Sequence, residues 1–200
     1  MTENRIAEIR ALLWGDSVIM RSSQLRSAGI YSRDVKELIK RGYVARLKDG
    51  YYVWRDAMDQ LSDYQIAVAT IPNATICFLS AAVFYGFTTI IPDAVHVAIP
   101  NKGKLPKKPC IPPIELVRYK PTVFLLGRDK ADTESGKIPI YDRERTVCDC
   151  LKRRNEIGDD IALEVVRNYM RGKKDIQKLY SYAQTLRIRH KLHPYVEALI

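Results

Sequence analysis

The 200-residue sequence predicts an α+β fold, on three observations. Helix-period apolar residues closed by an Asp-Gly hairpin signal fill the first quarter, β-rich runs crowd the middle, and from Asp142 onward the spacing is helical. An apolar content of 46% is enough to bury a sizeable core, which excludes a disordered chain.

The stretch RIAEIRALL (5–13) places Ile6, Ile9, Leu12 and Leu13 at helical spacing, which predicts a first amphipathic helix. Val18, Ile19 and Met20 form a short extended run. Ser22 or Ser23 is expected to cap a second helix over residues 24–28, with Gly29 as its left-handed stop. Ser32 is the expected N-cap of a third helix, with Asp34 in its first turn, where the dipole favours an acid. Val35, Leu38 and Ile39 share one face of it, and Arg33, Lys36, Glu37 and Lys40 fall on the other. Gly42 ends that helix, residues 43–47 alternate into a strand, Asp49-Gly50 turns the chain, and residues 51–54 return as a second strand. Three helices and then a hairpin is the order of a winged helix-turn-helix, with the third helix as reader and the hairpin as wing.

Residues 56–61 read as a junction, 63–71 as a helix and 75–79 as a buried strand. Ser80 is expected to cap an apolar helix, AAVFY, that stops at Gly86. Residues 94–99, 114–119, 123–126 and 138–141 are β-rich. Between the first two of these lies NKGKLPKKPCIPP, whose four lysines and four prolines argue for an exposed, stiffened loop. Helices are expected over 143–154, 159–171, 175–186 and 189–199, and no fixed-period repeat suggests a solenoid. The expected architecture is therefore a winged helix-turn-helix over residues 1–56 followed by a larger domain over 57–200. That domain is mixed α/β to residue 141 and a helical bundle over 142–200.

A formal charge of +10 points to a polyanionic partner, and nucleic acid is favoured over a membrane surface. Residues 1–61, 62–141 and 142–200 carry +3, +3 and +4, so folding, not a tail, must build any basic patch. Tyr64 to Pro92 holds no charged side chain, but Pro72-Asn73, Gly86 and several hydroxyl residues break it, and it reads as core instead of a span. The N-terminus lacks the long apolar run of a secretory signal. Cys77, Cys110, Cys148 and Cys150 include no CxxC pair, so a reduced cytoplasmic setting, without structural zinc, is expected.

The blocks LRSAGIYSRDVKELIKRGYVARLKDGYYVW (25–54), LSAAVFYGFTTIIPDAVHVAIP (79–100), DRERTVCDCLKRR (142–154) and EVVRNYMRGKKDIQKLYSYAQTLRI (164–188) resemble the AbiEi-type antitoxins of type IV toxin-antitoxin and abortive-infection systems. The resemblance spans most of the chain and is one of pattern, with no catalytic signature. It implies an N-terminal winged helix that binds operator DNA and represses its own operon. It also implies a C-terminal domain that opposes a nucleotidyltransferase-like toxin, with or without a direct complex, and no cofactor.

On physical grounds, Tyr31, Ser32, Arg33, Lys36 and Lys40 are the candidates on the third helix, Arg33 first because a guanidinium can pair bidentately with guanine. Ser22, Ser23 and Gln24 would meet phosphates, and Arg46 and Lys48 would reach a groove or its rim from the wing. The plainer alternative is a solvated helix face and serines that only cap. Lys152, Arg153 and Arg154, with Arg171, Lys173 and Lys174, form a candidate second basic surface, though cations at helix C-termini are expected from the macrodipole alone. RIRHK (187–191) adds further cations.

Catalysis has thin support. Asp142, Glu144 and Asp149 could coordinate a metal, yet Asp142 also reads as an N-cap and Glu144 as a first-turn acid. Glu115 and Lys120 have the wrong spacing for a nuclease. His190 and His193 lack a third ligand, with Pro194 expected to interrupt their helix, and there is no P-loop, GxGxxG or GxSxG. Tyr169, Tyr180, Tyr182 and Tyr195 fit amphipathic packing better than RNA stacking. The remaining alternatives are a protein- or RNA-interaction module and a DNA-targeted defence nuclease.

Overall fold

In a computed structural model the structure describes residues 2–13, 18–134 and 136–199. It is α+β, with a small and a larger sheet and a helical C-terminal region. The N-terminal unit runs α1 (Glu3–Leu13), β1 (Ile19–Arg21), α2 (Ser22–Ser27), α3 (Ser32–Lys40), β2 (Val44–Lys48) and β3 (Tyr51–Trp54). Its antiparallel sheet has the order β1-β3-β2. Ile6 and Ile9 of α1 are buried as expected, while the side chains of Leu12 and Leu13 lie outside the described ones.

Strand periodicity explains how this sheet is covered on both faces. Along β3, Tyr52 and Trp54 point to a core shared with Ile9 of α1, Leu25 of α2 and Val35 and Leu38 of α3. Tyr51 and Val53 point the other way, onto a cluster of Ile19, Leu47 and Ile66. Ile66 belongs to α4 (Asp63–Thr70), which follows a 3₁₀ turn (Arg55–Gln60), so the second face of this sheet is buried against the rest of the chain.

The larger sheet comprises β4 (Thr75–Ile76), β5 (Val95–Pro100), β6 (Ile114–Tyr119), β7 (Arg128–Thr133) and β8 (Gly136–Tyr141), in the order β6-β5-β4-β8-β7. β5/β6 and β4/β8 are parallel, the other two pairs antiparallel. One face packs on α4 through Val95, Val97, Ile99, Ile138 and Ile140. The other meets α5 (Phe78–Phe84), α7 (Arg143–Lys152), α9 (Asp159–Arg171), α10 (Ile176–Thr185) and α11 (Arg189–Glu197). α6 (Pro121–Phe124) and α8 (Arg154–Ile157) are single turns. No helix among the described residues is long and apolar enough to cross a membrane.

Several local expectations are corrected. Ser32 does not cap α3: Tyr31 is the N-cap, and the Asp34 carboxylate reaches back to accept from the Tyr31 N–H at 3.0 Å. Likewise Gln24, not Ser22 or Ser23, serves α2, accepting from the Arg21 N–H at 2.9 Å. The strand expected over 75–79 stops at Ile76, and α5 starts at Phe78. Ser80 therefore lies inside α5, fully buried, where its Oγ accepts from the His96 N–H at 2.9 Å. The strand expected over 123–126 does not form: residues 121–124 are a helical turn begun by Pro121, whose missing N–H costs nothing at a helix start, and 125–127 turn the chain. β7 was not expected, because RDKADT lacks β-formers; it is an edge strand, where charges blunt further pairing. Pro194 lies within α11 without ending it.

Asp142 does cap α7, accepting from the Arg145 N–H at 2.8 Å. The neighbouring acids are each held by protein groups. Asp142 also receives the Tyr182 hydroxyl at 3.0 Å and lies 3.0 Å from Lys178, Glu144 receives the Tyr169 hydroxyl at 2.9 Å, and Asp149 pairs with Arg145. Among the described residues no group of three or more His, Cys, Asp or Glu is placed to hold a metal ion.

Candidate nucleic-acid interface

α3 separates its apolar and charged residues as its periodicity dictates. Val35 and Leu38 are buried, each contributing about 1.5–3 kcal/mol to holding the helix on the sheet. Tyr31, Ser32, Arg33, Lys36 and Lys40 are all exposed, and Tyr31 keeps 63% of its surface open. Glu37, the one carboxylate expected on that face, is drawn into an ion pair with Arg41 at 2.8 Å, which lowers its pKa. Arg33, Lys36 and Lys40 form no salt bridge among the described residues, so the face presents three cations.

The turn that orients α3 is built by glycine. Gly29, at φ +73°, follows α2, and its N–H and that of Ile30 return to the Arg26 and Leu25 carbonyls at 3.0 and 2.9 Å. Ser22, Ser23 and Gln24 are exposed at the start of α2. The wing tip meets them there, because the Ser22 N–H donates to the Gly50 carbonyl at 2.8 Å. Arg21 and Arg26, which sequence reasoning passed over, are exposed beside these residues, with the Arg21 guanidinium 5.6 Å from the centre of the Tyr51 ring.

The wing differs most from expectation. Arg46 is exposed, 3.5 Å from Asp49, but Lys48 turns inward over the Tyr51 ring. Its ammonium donates to the main-chain carbonyls of Thr70 and, at 3.0 Å, Lys107, and burial pulls its pKa down. Lys107 comes from the lysine- and proline-rich loop, which is fastened to the edge of β2: the Cys110 N–H donates to the Leu47 carbonyl at 3.1 Å. The Lys107 ammonium also sits 3.1 Å from Asp49, holding that carboxyl below the usual carboxylate range. The loop thus sets exposed Lys107 beside the wing, and Lys102, Lys104 and Lys108 are exposed along the same loop. Its composition was legible in the sequence; its docking partner, some 60 residues away, was not.

The six cations of the second basic surface are not brought together. The Arg143 guanidinium at the start of α7 donates to the Lys173 carbonyl beyond the end of α9, at 3.3 Å, so the two helices run in opposite directions. Lys152, Arg153 and Arg154 therefore lie at one end of the pair and Arg171, Lys173 and Lys174 at the other, about 15 Å apart along ten residues of helix. Arg153 is half-buried on the Phe78 ring and bonded to Glu156 at 2.9 Å, and Arg154 pairs with Asp159 at 2.8 Å. Lys174 donates to the Met170 carbonyl at 2.8 Å. Lys152, Arg171 and Lys173 are exposed. Of the four tyrosines, Tyr169 is fully buried and Tyr180, Tyr182 and Tyr195 pack against the same core.

No family model matches the chain, and no curated protein matches it in sequence. Among solved structures it is similar to the crystal structure of the RV2827C protein from Mycobacterium tuberculosis, with a TM-score of 0.56 and 14% identity over 88% of this chain and 70% of that one. At that identity the likeness shows a shared fold alone.

Proposed function

We propose that the chain is a DNA-binding antitoxin that represses its own operon and, through its C-terminal region, opposes a nucleotidyltransferase-like toxin in the cytoplasm. The observation that carries the DNA reading is the exposed face of α3, where Arg33, Lys36 and Lys40 stand without carboxylate partners among the described residues, beside an exposed Tyr31, in a unit ordered α1-β1-α2-α3-β2-β3. In this reading α3 meets base edges, the start of α2 meets phosphates, and Arg46 with the lysine loop extends the phosphate contacts past the wing. The toxin half rests on the resemblance of the sequence blocks to AbiEi-type antitoxins. It belongs to no catalytic scheme.

The test is a mobility-shift titration against the DNA upstream of the chain's own reading frame. A sequence-selective shift that weakens steeply with salt is expected, as phosphate contacts release counterions. No shift at low salt, or one indifferent to sequence, overturns the reading. Co-expression with a neighbouring nucleotidyltransferase-like reading frame tests the antitoxin half, growth rescue being the expected result.

A protein-interaction module is the second reading, favoured by one observation. Ile91, 85% exposed, lies at a cleft of about 270 Å³ lined by Tyr64, Val83, Pro92 and Pro112, next to an Ile111 that is 59% exposed. Toxin neutralisation that survives loss of DNA binding and fails on Ile91→Asp would favour it.

A further inference from the structure

We propose that the pocket at the α10–α11 junction binds the phosphate group of a nucleotide or of a single-stranded nucleic acid. Gln184, Arg187, Arg189, His190 and His193 line an open hollow of about 530 Å³, within the size range of small-molecule sites. Each of the five lining residues carries a nitrogen-bearing side chain, two guanidiniums, two imidazoles and an amide, drawn from both sides of a tight turn. Arg187 and His190 are exposed and form no salt bridge among the described residues.

The surroundings hold these groups in place. The Tyr180 hydroxyl and His193 Nδ1 are 2.9 Å apart, and Glu197 is 3.1 Å from Nε2 of the same ring, which fixes the imidazole at the rim. The Arg189 guanidinium lies 5.7 Å from the centre of the Tyr180 ring, an arrangement that orients its fork. Arg187 itself sits at φ +59°, with the N–H groups of Arg187 and Ile188 returning to the Gln184 and Ala183 carbonyls at 3.0 and 2.8 Å. That is the helix ending which takes Gly29 after α2 and Gly42 after α3; here an arginine occupies the glycine position and its side chain enters the pocket wall.

The chemistry fits a phosphate better than a carboxylate. A phosphomonoester offers three acceptor oxygens and close to two negative charges, and each phosphodiester of a strand offers two such oxygens and one charge. Either uses several donors, and more than one cation suits the first or two neighbouring groups of the second. Two arginines can each meet a phosphate bidentately, His190 and Gln184 supply further donors, and the positive end of α11 adds to the field. The site is formed by α10 and α11 alone, so it stands whether or not α3 binds DNA.

The test uses the full chain at low salt, titrated calorimetrically with inorganic phosphate, with adenosine monophosphate and with a short single-stranded RNA. At least one probe is expected to bind. The Arg187→Gly, Arg189→Ala double variant should weaken it tenfold or more without changing the denaturation midpoint, since glycine suits the backbone at 187. Arg33→Ala should leave this binding unchanged. Comparable binding of phosphate and the mononucleotide identifies a small-molecule phosphate as the source, and binding of RNA alone identifies a strand. If none of the three probes binds, or the double variant binds them as the wild type does, the proposal is overturned. Operator shifts measured on the same two variants separate its failure from failure of the α3 reading.

Discussion

The Lys48 ammonium and the main-chain carbonyl of Lys107 lie 3.0 Å apart, which ties the end of β2 to the loop between β5 and β6. The same ammonium donates to the Thr70 carbonyl, so one side chain closes a three-way junction between wing, α4 and loop. Lys48→Ala leaves the Thr70 carbonyl short of a donor in a partly buried place and should cost about 1–3 kcal/mol. Urea denaturation measures this. A lower DNA affinity with unchanged stability would show that Lys48 acts on DNA instead.

Arg33 and Lys40, on the same exposed face of α3, should behave differently as alanine variants. If Arg33 pairs with a base, Arg33→Ala costs about 1–3 kcal/mol at one operator position and relaxes the preference there. Lys40→Ala weakens all sequences alike and lowers the salt slope by about one. Both variants should unfold like the wild type, because neither side chain is buried. Shifts on a panel of single-base operator variants distinguish the two patterns.

Val53 of β3 and Ile66 of α4 share one buried cluster, which joins the first sheet to the rest of the chain. The chain should therefore unfold as one cooperative unit, with tryptophan fluorescence, which reports residues 14 and 54, coinciding with far-ultraviolet circular dichroism. Ile66→Ala should move both curves together, by about 2–5 kcal/mol. Two separated transitions would contradict this packing. Removing residues 1–56 would bare Ile66, Met58 and Leu61, so point variants on α3 are the better way to divide DNA binding from toxin neutralisation.

Arg145 and Asp149 form an ion pair at 3.0 Å with almost no exposed surface, the guanidinium packed against the Tyr119 and Tyr141 rings. Arg145 also donates to the Val123 and Leu126 carbonyls, at 2.8 and 2.9 Å, so it fixes the turn before β7. Arg145→Met leaves the buried Asp149 carboxyl without its partner and should cost about 3–5 kcal/mol. Changing both residues to apolar ones should cost less than the two single losses added together. A double-mutant cycle in urea tests this, and simple additivity would deny the coupling.

What the sequence determined by itself is the local physics. Apolar spacing places α1, α3, α9 and α10, glycine stops α2 and α3 because it alone enters the left-handed region without strain, Asp49-Gly50 turns the hairpin, and Asp142 caps α7. Each of these depends on residues within a few positions of one another. Only the tertiary structure decided the rest, because the partner is far along the chain. β7 is a strand through its pairing with β8, against its own composition. Lys48 is a tether because Thr70 and Lys107 come to it, and the two basic triplets separate because α7 and α9 run in opposite directions. Charge type is written in the sequence, but whether a charge faces solvent, a carbonyl or a neighbouring carboxylate is set by which distant elements fold against it.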